Sequence, residues 1–379
     1  MLSVQRHLNW NNKVKKVVEV AVVVGKMVGG GVEAIVMAYV RHIDRSRVHF
    51  TLLVDSDSTC VPEEEISRYG ASLIYVPPYQ HMFAYQRALY KIFSAYRFDI
   101  VHSHINTLSV FPLLAAKRAG IGVRIADSHS TAGRGEAWKN IVKASLRPFS
   151  RIFPTKLSAC SEYAGRWLYG RNAHFDILPD SLDYESERFF FCERSRSLVR
   201  RELAIENRFV VGHVGRFTKQ KNHMFLLSVF AEVLRRVPDA VMLLIGQGEL
   251  TESVRDRAMR MGIEENILFL GQVNDTAALY SAMDVFLLPS LYEGMPLTVM
   301  EAQYASLPVV MSDRVTDEAV ISPERVRRLP LTLTAKAWAE CVLSLRGAFF
   351  RKDGKAGIER KKRGVRPQDL SDWYVSLCT

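Results

Sequence analysis

Two successive series of short apolar runs, each run followed by a stretch of helical periodicity, constrain this chain more than any single residue does. The first series occupies residues 17–24, 48–54, 72–76, 98–102 and 122–127, with helix-compatible stretches near 32–43, 83–96, 107–119 and 136–147. The second begins at Phe209-Val210-Val211-Gly212 and continues through 240–245, 267–270, 285–288 and 309–311, with helical stretches at 222–237, 249–262 and 275–282. Short uninterrupted apolar runs suit parallel strands covered on both faces, and their alternation with helices implies βαβ crossovers. The expectation is an α/β chain of two Rossmann-like, doubly wound domains facing across a cleft. Periodicity lapses from Pro179 to Arg196, which sets the expected boundaries at 1–185, 186–350 and a basic tail over 351–379. At 379 residues, each domain is large enough to bury its own core.

In such sheets ligands bind beyond the carboxyl ends of the strands, at the turns that lead into helices. The run Asp284-Val285-Phe286-Leu287-Leu288-Pro289-Ser290 reads as a buried strand, and Pro296 suits the first turn of the helix behind it. Glu293 then lies in the strand-to-helix turn and Glu301 in the helix's second turn, with backbone N–H groups of Gly294, Met295 and Leu297 between them. A helix N-terminus favours anions and carboxylates accept hydrogen bonds from hydroxyls, so the segment suits a nucleotide sugar. Arg216 and Lys221 follow the first strand of the second series, with Asn222 placed to cap the next helix. A guanidinium fork and an ammonium can hold both phosphates of a departing nucleoside diphosphate. Taken alone, a basic loop is more often merely solvated, and Glu301 has a competing account as an exposed helix residue.

In the first series, Gly25-Lys26-Met27-Val28-Gly29-Gly30-Gly31-Val32 links strand to helix but fits neither G-x-G-x-x-G nor the P-loop spacing. Gly30 and Gly31 let backbone approach a ligand, although a plain tight turn explains them too. His104, in His102-Ser103-His104, and His129 follow strands and can bond sugar or phosphate oxygens. Histidines two apart can also bind a metal, but no nearby Cys, Asp or Glu cluster completes a set.

The stretch Leu291-Tyr292-Glu293-Gly294-Met295-Pro296-Leu297 with Glu301, the basic loop from Val214 to Asn222, and Ser158-Ala159-Cys160-Ser161-Glu162-Tyr163-Ala164-Gly165 together resemble the family 4 glycosyltransferases. The resemblance covers most of residues 17–345 and is stronger in the second half. It implies the GT-B fold, retention of anomeric configuration, an acceptor-binding first domain and a donor-binding second domain. It further implies a nucleotide-sugar co-substrate, with a uridine nucleotide expected, and no cofactor. On the same basis Glu301 holds the ribose hydroxyls and Glu293 contacts the donor sugar near the reacting centre. Arg216, Lys221, Gly294, Met295, Pro296 and Leu297 bind the donor, His129 is the active-site histidine, and Gly30, Gly31 and His104 lie on the acceptor or phosphate side. The implied acceptor is a saccharide or lipid-linked saccharide in bacterial polysaccharide biosynthesis. The chain departs from the family at Asp180-Ser181-Leu182-Asp183, where Asn-Gly is typical, and at Asn222, where glycine is frequent. Asp55-Ser56-Asp57 has the form used by metal-dependent glycosyltransferases of the other common fold, yet it reads as two surface carboxylates in a turn, and no metal is expected. A nucleotide-sugar epimerase of related fold and a non-catalytic sugar-nucleotide or lipid-binding protein stand as alternatives.

Charge narrows the partners. A formal net charge of +11 draws the chain to anions: nucleotide diphosphates, anionic lipid headgroups or nucleic acid. No zinc-finger or aromatic-flanked RNA-reading motif is present, which places nucleic acid last. Lys139, Lys143 and Arg147 fall on one stripe of the helical stretch that begins at Trp138, and Arg360-Lys361-Lys362-Arg363 lies in a basic segment over 346–366. Peripheral contact with an anionic membrane is therefore a further partner reading. No run reaches the roughly 20 apolar residues that cross a bilayer. Met1 to Asn12 lacks the apolar centre of a signal peptide, and the five cysteines form no Cys-x-x-Cys pair. A cytoplasmic protein with reduced thiols is expected, with the inner face of the membrane as the alternative address.

Overall fold

Two parallel sheets carry the chain. In the first, β1 (Val18–Gly25), β2 (Val48–Asp55), β3 (Ser72–Val76), β4 (Ile100–Ser103), β5 (Val123–Ser128), β6 (Lys156–Ala159) and β7 (Asp176–Ile177) lie in the order β3-β2-β1-β4-β5-β6-β7. In the second, β8 (Val210–Val214), β9 (Val241–Ile245), β10 (Ile267–Gly271), β11 (Val285–Leu288), β12 (Val309–Ser312) and β13 (Val326–Leu329) lie in the order β10-β9-β8-β11-β12-β13. The computed structural model describes residues 17–129, 145–178, 187–273, 275–347, 351 and 369–378. In each sheet the strand order reverses beside the first strand, between β1 and β4 and between β8 and β11, and such reversals open the crevices where ligands bind.

The apolar runs are continuous because both faces of each sheet are covered. Along β1, Val20, Val22 and Val24 join one hydrophobic cluster while Ala21 and Val23 join another. Along β11, Phe286 and Leu288 face one cluster and Val285 and Leu287 the other. The cluster that holds Val24 and Met27 of the first half also holds Leu297 and Met300 of the second, so apolar packing is continuous between the two halves.

Three strands and several helices, among them Glu162–Tyr169, Glu193–Glu202 and Ala335–Ser344, were not legible as members of the two series. β6 has two apolar residues, β7 is two residues long, and β13 is an edge strand whose Arg327 and Arg328 are exposed. The helix Glu193–Glu202 occupies part of the stretch where periodicity lapses. Ion pairs fasten it in place of a wide apolar stripe: Arg196 and Arg200 each reach Asp284 at 2.6 Å, just ahead of β11.

The terminal helix Leu370–Ser376 returns to the first sheet. Ser371 Oγ accepts from Asp44 N at 2.9 Å, Trp373 Nε1 donates to Asp176 at 2.7 Å, and the Tyr374 hydroxyl bonds His102 Nδ1 at 2.7 Å. Among the described residues no helix is long and apolar enough to cross a membrane. The readings on Met1 to Asn12, on Trp138, Lys139 and Lys143, on Asp180 to Asp183 and on Arg360 to Arg363 fall outside the described residues.

Candidate active site

The adjacent ends of β8 and β11 bring the two donor-side segments together. Lys221 Nζ lies 2.6 Å from Glu293 Oε1, and Gln220 Nε2 donates at 3.0 Å both to Glu293 Oε2 and to the Tyr292 carbonyl. The Lys221 and Glu293 side chains are only 14% and 8% exposed, so each charge depends on the other for compensation. Arg216, by contrast, is exposed at the head of the same loop. Asn222 takes a left-handed backbone, φ 57°, and its side chain does not cap the helix His223–Leu234. Nδ2 donates instead to the Pro289 carbonyl at 3.1 Å, which ties the loop to the end of β11 and corrects the capping expectation. The positive φ also explains why a glycine would serve at this position.

Pro296 is the cap residue of the helix Leu297–Tyr304, one position ahead of the first turn in which it was expected. Glu301 lies in the second turn, and the Tyr280 hydroxyl donates to its Oε2 at 2.5 Å. Gly294 and Pro296 are buried and Met295 is half-buried, so this turn offers backbone more than side chains. Beneath the basic loop lie His213 and His223. Burial lowers His213 to about 4 and His223 to about 2, with the Lys221 charge adding to both, so neither ring is charged at neutral pH. Neither histidine was singled out in the sequence, where nothing marks them beyond their places flanking the loop.

Across the cleft, Gly30 precedes the helix Gly31–His42, and the Glu33 carboxylate accepts from its N–H and, at 3.0 Å, from that of Val28. Burial raises the Glu33 pKa, and the Val28 bond and the facing Arg216 guanidinium pull it back. The Gly30–Gly31 turn therefore meets the donor loop. A β-carbon on Gly31 would sit 3.9 Å from Leu297 Cδ1, and Cys60 Sγ donates to Gln272 Oε1 at 3.3 Å nearby. Glu33 was missed, although its place three residues after Gly30 is the spacing of a capping box.

The ends of β4 and β5 gather His102, His104, Asp127 and His129. His104 Nδ1 and His129 Nε2 are 2.9 Å apart, and Asp127 Oδ2 lies 3.3 Å from each of them and 3.6 Å from His102 Nε2. His104 is 1% exposed and His129 8%, so both rings are buried at these strand ends. Burial lowers His102 and takes His104 to about 3. Burial alone would raise Asp127, but the His129 charge and the three neighbouring imidazoles hold it well below the usual carboxylate range. His102, His104 and Asp127 offer ligand atoms within 4.8 Å of one another, enough to hold a metal ion. That corrects the expectation that no carboxylate joins the histidine pair: Asp127 arrives on the neighbouring strand. Asp55 is also corrected, being buried rather than on the surface. Burial and then the Asp57 charge push it up to about 6, while Asp57 pairs with Lys26 at 2.7 Å.

Residues 208–346 match the family described as Glycosyl transferases group 1, and residues 29–175 match Glycosyltransferase Family 4. The chain is 33% identical over 327 residues to a protein of Bacillus subtilis (strain 168) named as the glycosyltransferase EpsF, covering 83% of this chain and 84% of that one. It is 30% identical over 236 residues, 60% of each chain, to the UDP-Gal:alpha-D-GlcNAc-diphosphoundecaprenol alpha-1,3-galactosyltransferase of Escherichia coli. Among solved structures, Anabaena HepE in complex with UDP-glucose is similar at a TM-score of 0.71 and 17% identity, over 86% of this chain and 89% of that one. The likeness to HepE concerns the fold, and the epimerase alternative finds no support in any of these matches. With both halves matched and the two-sheet architecture in place, the chain belongs to the family 4 glycosyltransferases and has the GT-B fold.

Proposed function

We propose that the protein transfers a glycosyl group, with retention of configuration, from a UDP-sugar to a lipid-linked saccharide during polysaccharide assembly. Residues 186–350 take the donor and 1–185 the acceptor. The observation that carries this reading is the Lys221–Glu293 pair at the adjoining ends of β8 and β11, with Glu301 in the helix that follows β11 and Arg216 near enough to Glu33, beside the Gly30 turn, to act on its charge. Glu301 accepts from the ribose hydroxyls, steadied by Tyr280. Arg216 and Lys221 meet the charge that grows on the diphosphate as the glycosidic bond breaks, with no metal bridging the phosphates. Glu293 fixes Lys221 and contacts the donor sugar, and His129 bonds the sugar from the other side. A uridine nucleotide and a diphosphate-lipid acceptor are supported by the name of the Escherichia coli relative, which acts on both. An acceptor of that kind places the protein at the inner face of a membrane.

The test is thermal stabilisation by UDP, GDP and ADP, since a ligand stabilises only the state it binds. UDP should raise the melting temperature most, and Glu301→Ala should remove about 1–3 kcal/mol of UDP binding while leaving the fold intact. No stabilisation by any of the three, or an unchanged UDP affinity in a folded Glu301→Ala, refutes the assignment.

A further inference from the structure

Asp127 is a fully buried carboxylate, and among the described residues neither of its oxygens has a hydrogen-bond partner. Imidazoles surround it without bonding it well: Oδ2 lies 3.3 Å from His104 Nδ1, 3.3 Å from His129 Nε2 and 3.6 Å from His102 Nε2. Charge-assisted N–H···O bonds run at about 2.7–2.9 Å, so these contacts are too long to be that. A buried carboxylate is kept where a cation compensates it, either as a bonded partner or as a metal ion. The spacing favours the metal. Zinc holds nitrogen and oxygen ligands tetrahedrally at about 2.0–2.1 Å, which sets neighbouring ligand atoms roughly 3.3–3.4 Å apart. The Asp127 distances lie at or near that edge. His104 Nδ1 and His129 Nε2, at 2.9 Å, need to part slightly. The strands preset the arrangement, since β4 pairs with β5 so that Ser103 lies opposite Ala126, which sets His104 and Asp127 side by side at the strand ends. Asn106 Oδ1 anchors His129 by accepting from its backbone N–H at 2.7 Å. The Tyr374 hydroxyl engages His102 Nδ1 at 2.7 Å and leaves Nε2 as the nitrogen nearest Asp127. A partner on the far nitrogen is the usual support of a zinc-bound imidazole.

We propose that His102 Nε2, His104 Nδ1, Asp127 Oδ2 and His129 Nε2 enclose a structural zinc ion. Imidazoles with one carboxylate suit zinc, whereas magnesium and calcium take shells of oxygen. All four side chains are buried, so the coordination shell is closed and leaves no position for a substrate. The ion joins the ends of β4 and β5 and, through Tyr374, the returning terminal helix. It does not touch the diphosphate, so departure of the leaving group without a metal bridge is unaffected. With Nε2 on zinc, His129 has Nδ1 for the sugar contact of the proposed reaction. The zinc site itself does not rest on that reaction.

The test takes the full chain, freed of metal by dialysis against dipicolinate, and titrates it with Co²⁺, whose visible absorption reports tetrahedral coordination, then with Zn²⁺ in competition. Wild type should develop the tetrahedral bands, saturate at about one ion per chain and lose the bands as zinc displaces cobalt. Zinc should also raise the melting temperature, because it binds only the folded arrangement of these strands. Tyr374→Phe keeps the buried ring and removes the hydroxyl behind His102, so it should weaken zinc binding by about 10–100-fold. Asp127→Leu should abolish the cobalt bands, and where that variant does not fold the wild-type titration and Tyr374→Phe decide. Absence of tetrahedral bands in wild type, bands retained in a folded Asp127→Leu, or unchanged zinc affinity in Tyr374→Phe overturns the proposal. A shift of the bands on adding UDP or azide overturns it too, because a closed shell has no place for either.

Discussion

Replacing Lys221 by methionine probes the donor loop through stability as well as chemistry. Glu293 is 8% exposed on its side chain and has two partners, Lys221 at 2.6 Å and Gln220 at 3.0 Å. Methionine keeps most of the stem and removes the charge, which leaves a buried carboxylate with one neutral donor. Breaking a buried pair from one side costs about 3–5 kcal/mol. Gln220 keeps its bond and water can reach the partly exposed Lys221 position, so the lower end, about 3 kcal/mol, is expected. Adding Glu293→Gln removes the stranded charge, and the double variant should return to within about 1 kcal/mol of wild type while staying inactive. Urea unfolding at neutral pH, followed by tryptophan fluorescence to which the buried Trp338 of the second core contributes, measures all four proteins. A Lys221→Met variant as stable as wild type, or a double variant that shows the sum of the two single losses, would refute the claim that the pair is mutually dependent.

Three further outcomes are expected. Arg216→Ala should lower kcat by about 10²–10³, the usual loss of one transition-state charge stabiliser, with transfer persisting in excess EDTA. Activity abolished by EDTA and restored by Mn²⁺ would instead direct attention to Asp55, Asp57 and the His102–His104–Asp127 set. Gly29 has φ +80° and lies where a β-carbon would collide with the Gln272 side chain, so Gly29→Ala should cost about 1–2 kcal/mol, whereas Gly122→Ala, with nothing within 4 Å, should be nearly neutral by melting temperature. His213 and His223 titrate at about 4 and about 2 in the fold against an ordinary 6.5. The folded state binds fewer protons than the unfolded chain, so this stability is full above about pH 6.5 and drains as pH falls from there towards about 4. Asp55, raised to about 6, acts with the opposite sign and loses its contribution as pH rises through that value. Urea midpoints at about pH 7 and about pH 5 should therefore differ less in His223→Phe, whose ring can keep the stack on Phe217, than in wild type.

Most of the two sheets was legible because the signal is local. A strand covered on both faces must be apolar along its whole length, and Val18–Gly25, Val241–Ile245 and Val285–Leu288 announce themselves that way. The strands that escaped are those whose burial is partial, such as β7 and the arginine-bearing edge strand β13. The candidate site divides along the same line. Glu293, Glu301, Arg216 and Lys221 occupy turns and helix starts that follow legible strands, so their position could be read even though their pairing could not. Lys221 meets Glu293, and the Tyr374 hydroxyl meets His102, only because strand ends and the returning terminal helix juxtapose residues far apart in the chain. Asp127 shows the limit most plainly. At the last turn-ward end of β5 and two residues before His129, it reads in sequence as a lone carboxylate, and only the register of β4 against β5 puts it among three imidazoles.

Partnering among the functional groups bears on how the site does its work. Lys221 is held by Glu293, Glu301 by Tyr280, and Arg216 faces Glu33 across the cleft. In the proposed roles, the Lys221 ammonium and the Glu301 carboxylate are each held by a neighbour in the protein, whereas the exposed Arg216 only faces Glu33. If these residues take the donor as proposed, Lys221 and Glu301 need little reorganisation when it enters, which is the condition under which fixed charges stabilise a transition state better than water does. The same pairing sets a constraint on Glu293. Its carboxylate cannot leave Lys221 without stranding a buried charge, so the proposed contact with the donor sugar requires a geometry that keeps the 2.6 Å bond. A neutral amide at this position would be free of that constraint and would also release Lys221, so Glu293→Gln is expected to weaken diphosphate stabilisation and sugar contact together.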